Sequence, residues 1–295
     1  MRKGIDLIPA DRRRYLEHAV KLLRNAFAKE LTRKKKRIGD DGRPRRILKI
    51  ILYGSMARGN PVRDYVNGYI SDYDLLVIVS HEALTDFGWW EGANDAFLAE
   101  SQDNPTRYPA RFIVHDIDDV NNQLHLGRPF FKDIHRDGII LYEFSTKALT
   151  KPGNLTAEEI HREAQMHFDH WYGKSKGAPL GAERYLADAE LSWSAFMFHQ
   201  AVEAAYHCAL LTLTLYTPKL HDIEKLRDMA EGIDRRLVTA WPRKHRYDRR
   251  AFSRLKRAYV DARYSPRYII TKEDLDAIAA RVSTLQALVG TVCEE

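Results

Sequence analysis

Two segments, read in order, set the architecture of the first half of the chain: Ile47-Leu48-Lys49-Ile50-Ile51-Leu52-Tyr53-Gly54-Ser55-Met56-Ala57-Arg58-Gly59 and Ser71-Asp72-Tyr73-Asp74-Leu75-Leu76-Val77-Ile78-Val79. Each holds a short, β-branched apolar run, the profile of a strand buried on both faces. The first run leads straight into Gly54-Ser55, where a residue without a side chain and a hydroxyl let a phosphate approach the backbone N–H groups closely. The second is opened by Asp72-x-Asp74. Aspartates at i and i+2 on an extended segment project from the same face, offering two hard oxygen ligands that share a Mg²⁺ ion with triphosphate oxygens. Together the two segments predict a phosphoryl-transfer site.

Working outward, apolar residues at helical intervals predict an amphipathic helix from Asp11 to Arg37, ended by the turn Gly39-Asp40-Asp41-Gly42. Phe112-Ile113-Val114 and Ile139-Ile140-Leu141-Tyr142 are further strand candidates, with helices expected at 83–98 and 118–126. Residues 1–150 therefore read as an α/β domain. Lys151-Pro152-Gly153-Asn154 signals a linker, and no convincing strand follows it. Thr156-Ala157-Glu158-Glu159 resembles a capping box opening a helix to about Tyr172. A long central helix is expected from Glu183 to Tyr216, with others at 221–231, 248–263 and 272–292, so residues 151–295 read as an antiparallel helical bundle.

The composition of the 295-residue chain, 44% hydrophobic and 30% charged, is that of a folded globular protein. Two cysteines, Cys208 and Cys293, are too few for a disulfide framework or a cysteine-rich zinc site. The formal net charge of +6 permits a polyanionic ligand. The N-terminus is charged and no stretch approaches 18 uninterrupted apolar residues, so a cytoplasmic location away from membranes is expected.

Gly54-Ser55, Gly59 and the Asp72-x-Asp74 strand opening resemble the signature of the DNA polymerase beta superfamily of nucleotidyltransferases, in its minimal and antibiotic-modifying branches, over roughly residues 45–145. The resemblance implies a mixed sheet and Mg²⁺-dependent transfer of a nucleoside monophosphate from an NTP, ATP being the expected donor, to an acceptor hydroxyl. It places Gly54 and Ser55 on the β- and γ-phosphates and makes Asp72 and Asp74 the metal ligands; Arg58 reads either as a phosphate partner or as an exposed arginine at a helix start. The superfamily usually carries a third acidic residue on a later strand, and Arg111 stands near that position here. Asp116, or His115 as a base at neutral pH, is the remaining candidate for the general base.

Phe198-His199-Gln200-Ala201-Val202-Glu203 through Leu210, and Tyr259-Val260-Asp261-Ala262-Arg263-Tyr264-Ser265-Pro266, resemble the HEPN domain over about residues 155–292. Many HEPN proteins are ribonucleases with an Arg followed four to six residues later by His, and no histidine follows Arg263 at that spacing. A binding role remains, with Arg263 and Arg267 on phosphate oxygens and Tyr264 or Tyr268 stacking on a base. His199, Glu203 and His207 share one helix face and read as interhelical hydrogen-bonding groups. The basic runs 33–37 and 243–257 are either solvated helix faces or an RNA-facing surface.

The leading expectation is thus a nucleotidyltransferase whose acceptor, a small molecule, a protein or an RNA, is not written in the sequence. The alternatives are a catalytically weakened nucleotide-binding or toxin–antitoxin-like regulatory HEPN protein, and an RNA-binding or ribonuclease HEPN protein. Homodimerisation is left open.

Overall fold

The computed structural model describes residues 1–3, 8–34, 44–64, 69–103, 108–144 and 148–294. Lys35-Lys36-Arg37 and the expected turn at 39–42 lie outside the described residues. The chain divides into two compact units, Met1–Val62 with Ile70–Leu155, and Thr156–Glu295 with Arg63–Tyr69.

The first unit is an α/β fold around a mixed sheet. In chain order the elements up to Glu143 are β1 (Arg2–Lys3), α1 (Ala10–Lys34), β2 (Ile47–Tyr53), the short α2 (Gly54–Arg58), β3 (Arg63–Asp64), β4 (Tyr69–Ile70), β5 (Tyr73–Val79), α3 (Glu91–Asp103), β6 (Ala110–Asp116), α4 (Ile117–His125), α5 (Pro129–Asp137) and β7 (Ile139–Glu143), of which β3 and Tyr69 of β4 belong to the second unit. β2 and β5 are continuous apolar runs because both of their faces are covered. On one face Leu16, Leu23 and Phe27 of α1 pack with Ile50, Leu52, Leu75 and Val77. On the other, Leu76 and Ile78 are buried where α4 reaches β5.

The strand order is β1-β7-β2-β5-β6, with a separate β3-β4 pair. β2 runs antiparallel to β5, so its last residue, Tyr53, is the register partner of Asp74 near the start of β5. β6 runs parallel to β5 and sets Arg111 abreast of Asp74. These two pairings place the Gly54-Ser55 turn, the aspartates and Arg111 at one end of the sheet. Two 3₁₀ turns, Glu82–Leu84 and Phe87–Trp89, stand where the apolar pattern predicts a single helix from 83. Helix α5, which opens on Pro129 at its first turn, has no counterpart among the expected elements.

The second unit is a bundle of five helices: α6 (Ala157–Ala187), α7 (Leu191–Thr214), α8 (Ile223–Ile233), α9 (Arg246–Tyr264) and α10 (Lys272–Glu294). Phe198, Val202, Tyr206 and Leu210 of the central α7 meet Leu226, Leu255, Ile278 and Leu285 in its core. α10 is long and apolar enough by composition to cross a membrane, and its residues Leu275, Ile278, Val282, Leu285 and Val289 are buried in the bundle. The capping box at Thr156 is formed: its hydroxyl accepts from the Glu159 N–H at 3.1 Å, and Glu159 accepts from the Thr156 N–H at 2.8 Å.

Helix α6 corrects the expected end at Tyr172, because it continues for 31 residues through Gly173, Gly177, Pro179 and Gly181. A proline inside a helix removes the N–H that would bond the carbonyl four residues earlier. That carbonyl belongs to Ser175, and the Gln286 side-chain amide of α10 donates to it instead, at 2.6 Å. The Ser175 hydroxyl in turn donates to the Ala201 carbonyl of α7 at 3.0 Å. The chain finally turns at Ala189, whose φ of 61° is left-handed, so α7 begins at Leu191 rather than Glu183.

Gln286→Leu leaves the Ser175 carbonyl buried without this donor and should cost about 1–3 kcal/mol of stability. Pro179→Ala restores the helical N–H, so the loss should shrink in the double variant. Denaturant unfolding of the two single variants and the double variant measures the coupling.

Candidate functional site

The site in the first unit begins with a left-handed residue. Gly54 has φ +72°, and a Cβ placed on it would sit 2.4 Å from Asp74 Oδ2, so only glycine fits the turn from β2 into α2. Gly59, at φ +80°, closes α2, with its N–H bonded to the Met56 carbonyl at 3.3 Å. Ser55 is half-buried beside this loop, and Arg58 is exposed at its end.

Asp72 is buried, and Asp74 is half-buried near the start of β5. Burial chiefly, and then the neighbouring Asp72 charge, push the Asp74 carboxyl up to about 8, against the opposing pull of Arg111 and Arg58. Arg111 Nε lies 2.6 Å from Asp72 Oδ2. The Arg111 guanidinium therefore already neutralises one of the two carboxylates.

Asp116 and His115 do not join this site. Asp116 is the register partner of Val79, five residues along β6 from Arg111, roughly 16 Å at strand spacing. Its carboxylate caps α4, accepting from the N–H groups of Asp118 and Asp119 at 3.0 Å each. His115 Nδ1 is 2.6 Å from Asp119 Oδ2 at the same strand end. Both residues serve the β6–α4 junction, which corrects their candidacy as the base.

The second unit carries its own polar cluster, centred on Glu203 of α7. His221 Nδ1 lies 2.9 Å from Glu203 Oε1, His199 Nδ1 is 3.5 Å from Oε2, and His207 Nε2 is 4.0 Å from Oε1. His207 Nδ1 also meets the Thr217 hydroxyl at 2.7 Å. The His221 ring stacks on Tyr259 at 4.5 Å, and Arg263 lies 4.5 Å from the same ring. Arg263 Nε donates to the Tyr259 carbonyl at 2.6 Å. The cluster runs from fully buried His199 to His221, whose side chain is 59% exposed. Among the described residues, no group of three or more His, Cys, Asp or Glu side chains is arranged to hold a metal ion.

Tyr268 is buried in the bundle core and donates its hydroxyl to the Arg254 carbonyl at 3.0 Å, which corrects its reading as a stacking platform. The exposed ring next to Arg263 is that of Tyr264. The basic run 243–257 is divided: Lys244, Arg246, Arg249, Arg250 and Arg257 are exposed, and Arg243 and Arg254 are half-buried. Arg243 pairs with Asp228 and Glu231, Arg250 and Arg254 with Asp274, and Arg257 with Asp261. Asp261 thus faces Arg257, not Arg263. His221 is the residue that sequence reasoning misses. Its signal is the His221-Asp222 pair, since Asp222 caps α8 and fixes the preceding histidine at the helix start.

Gly54→Ala should cost about 1–3 kcal/mol through the left-handed backbone and displace the Asp74 carboxylate as well. A melting curve alongside nucleotide titration checks both effects.

A pH dependence follows from the buried histidines. Burial, with the His221 and Arg263 charges adding to it, lowers His199 to about 3. Burial, with the His221 charge, lowers His207 to about 4. The unfolded chain takes up a proton on each near pH 6.5 while the folded bundle does not, so stability is lost as pH falls from 6.5 toward 4. The expected slope is about 1 kcal/mol per pH unit for each histidine, and His207→Gln should flatten it in denaturant titrations between pH 4.5 and 7.

No curated protein matches the chain at a significant level. Residues 169–291, from within α6 to near the end of α10, match the HEPN domain family, so the second unit contains a HEPN domain.

Proposed function

We propose that the first unit binds a nucleoside triphosphate at Gly54, Ser55, Asp72 and Asp74 and transfers its nucleoside monophosphate to an acceptor hydroxyl. The observation that carries this reading is the fit of the Gly54 backbone against the Asp74 carboxylate, which joins the phosphate loop to the aspartate pair. The donor chemistry suits Mg²⁺: two carboxylates at i and i+2, beside a loop that offers a backbone N–H and the Ser55 hydroxyl to phosphate oxygens.

Asp72 and Asp74 would hold the ion, which when bound supplies a Lewis acid for the α-phosphate and the leaving pyrophosphate. The Gly54 and Ser55 groups hold the β- and γ-phosphates so that the α-phosphorus faces the acceptor. The acceptor oxygen bonds to the α-phosphorus, the bond from that phosphorus to the bridging oxygen breaks, and pyrophosphate leaves with the electron pair. The hydroxyl proton passes to solvent. Arg58, exposed at the end of α2, serves the phosphates as a counter-charge.

A second reading is favoured by Arg111. A site whose third carboxylate is replaced by a cation suits a nucleotide-binding regulatory module with little turnover, and the HEPN domain fits such a regulatory or RNA-binding role.

Asp74→Asn removes a ligand charge without changing core volume. It should weaken Mg·ATP binding at least tenfold and abolish transfer from α-labelled ATP, while circular dichroism stays unchanged. Equal affinity in wild type and variant would refute the nucleotide reading; tight binding without label transfer to any acceptor would select the regulatory one.

A further inference from the structure

We propose that Arg111 is a built-in cation standing where a second metal ion would stand, so that the Asp72–Asp74 pair takes a single divalent cation. The inference rests on the nucleotide reading above and adds the ion count and the agent of charge neutralisation.

Three observations carry it. The parallel pairing of β5 with β6 makes Arg111 the register partner of Asp74, on the same face of the sheet. Arg111 Nε lies 2.6 Å from Asp72 Oδ2, so that oxygen is already engaged by a full positive charge. The nearest acid further along β6, Asp116, is committed to the start of α4 at the other end of the strand.

A two-ion site needs carboxylates enough to bridge both ions and to balance their charge. Here one of the two carboxylates, Asp72, meets a guanidinium at contact distance, and a second ion on Asp72 would stand against a like charge. One ion shared with the triphosphate meets no such conflict. A guanidinium is also a planar donor that pairs with phosphate oxygens. When a nucleotide is bound, Arg111 then bridges Asp72 and the phosphate chain, doing with a fixed side chain part of what an exchangeable ion would do.

The test counts ions on the full chain, with Mn²⁺ as probe and α,β-methylene-ATP as the uncleavable nucleotide. Electron paramagnetic resonance of free Mn²⁺ should give one ion per bound nucleotide in wild type. Two ions in wild type would overturn the inference. Arg111→Asp should raise the count to two; a count of one in a folded Arg111→Asp protein also overturns it. Should that variant fail to fold, Arg111→Gln provides the check: one ion is retained and nucleotide affinity drops about tenfold, whereas unchanged affinity overturns the role of the guanidinium. Absence of nucleotide binding in wild type, with Asp74→Asn indistinguishable from it, would instead refute the nucleotide site itself and the inference with it.

Discussion

The first unit depends on how tightly a backbone can lie against a carboxylate. The antiparallel pairing of β2 with β5 puts Tyr53 opposite Asp74, so the residue after Tyr53 turns directly over the acid. With a left-handed φ and a Cβ position 2.4 Å from Asp74 Oδ2, a side chain there would strain the backbone and displace the carboxylate. The loop and the aspartates, separated in sequence by β3 and β4, are thereby held as one surface. Burial, and then the Asp72 charge, make the charged form of Asp74 costly and push its carboxyl up to about 8.

Much of this is legible in the chain. The period and length of the apolar runs identify β2 and β5, and the order of Gly54-Ser55 and Asp72-x-Asp74 names the groups that meet. Strand register is not legible, and it decides the fate of the acids on β6. Asp116 looks close to the motif in a one-dimensional reading, yet a parallel pairing carries it to the far end of the strand. Sequence also cannot say which arginines are solvated. Within the run 243–257, Arg243 and Arg254 are half-buried against Asp228, Glu231 and Asp274 of α8 and α10, whereas Lys244, Arg246 and Arg249 stay exposed. His221 is obscured for a similar reason: it reaches Glu203 and Tyr259 from a segment between helices, outside the local Arg-to-His spacing usually searched.

The helical unit combines an apolar core with buried ionic groups. Arg227 and Glu231 form a buried pair at 2.8 Å, with Arg243 added to the same acid at 2.6 Å. Such pairs offset their own desolvation at best, so the bundle owes its stability mainly to the residues around Tyr206 and Trp241. What the ionic groups do is restrict which helices can sit side by side, since a misplaced arginine would be left buried without its acid.

The Gln286 amide on the Ser175 carbonyl bears on the order in which the bundle assembles. The two residues are 111 positions apart, and the bond spans the first and last helices of the bundle. Before α10 docks, α6 has a gap in its hydrogen-bond ladder at Pro179 and lies next to three glycines, a composition that resists helix propagation. The N-terminal part of α6, opened by its capping box, is able to form early, whereas the part beyond Gly173 gains its missing donor only from α10, 111 residues further along the chain. Continuity of the longest helix is therefore a late, cooperative event, and it reports that both ends of the bundle have come together.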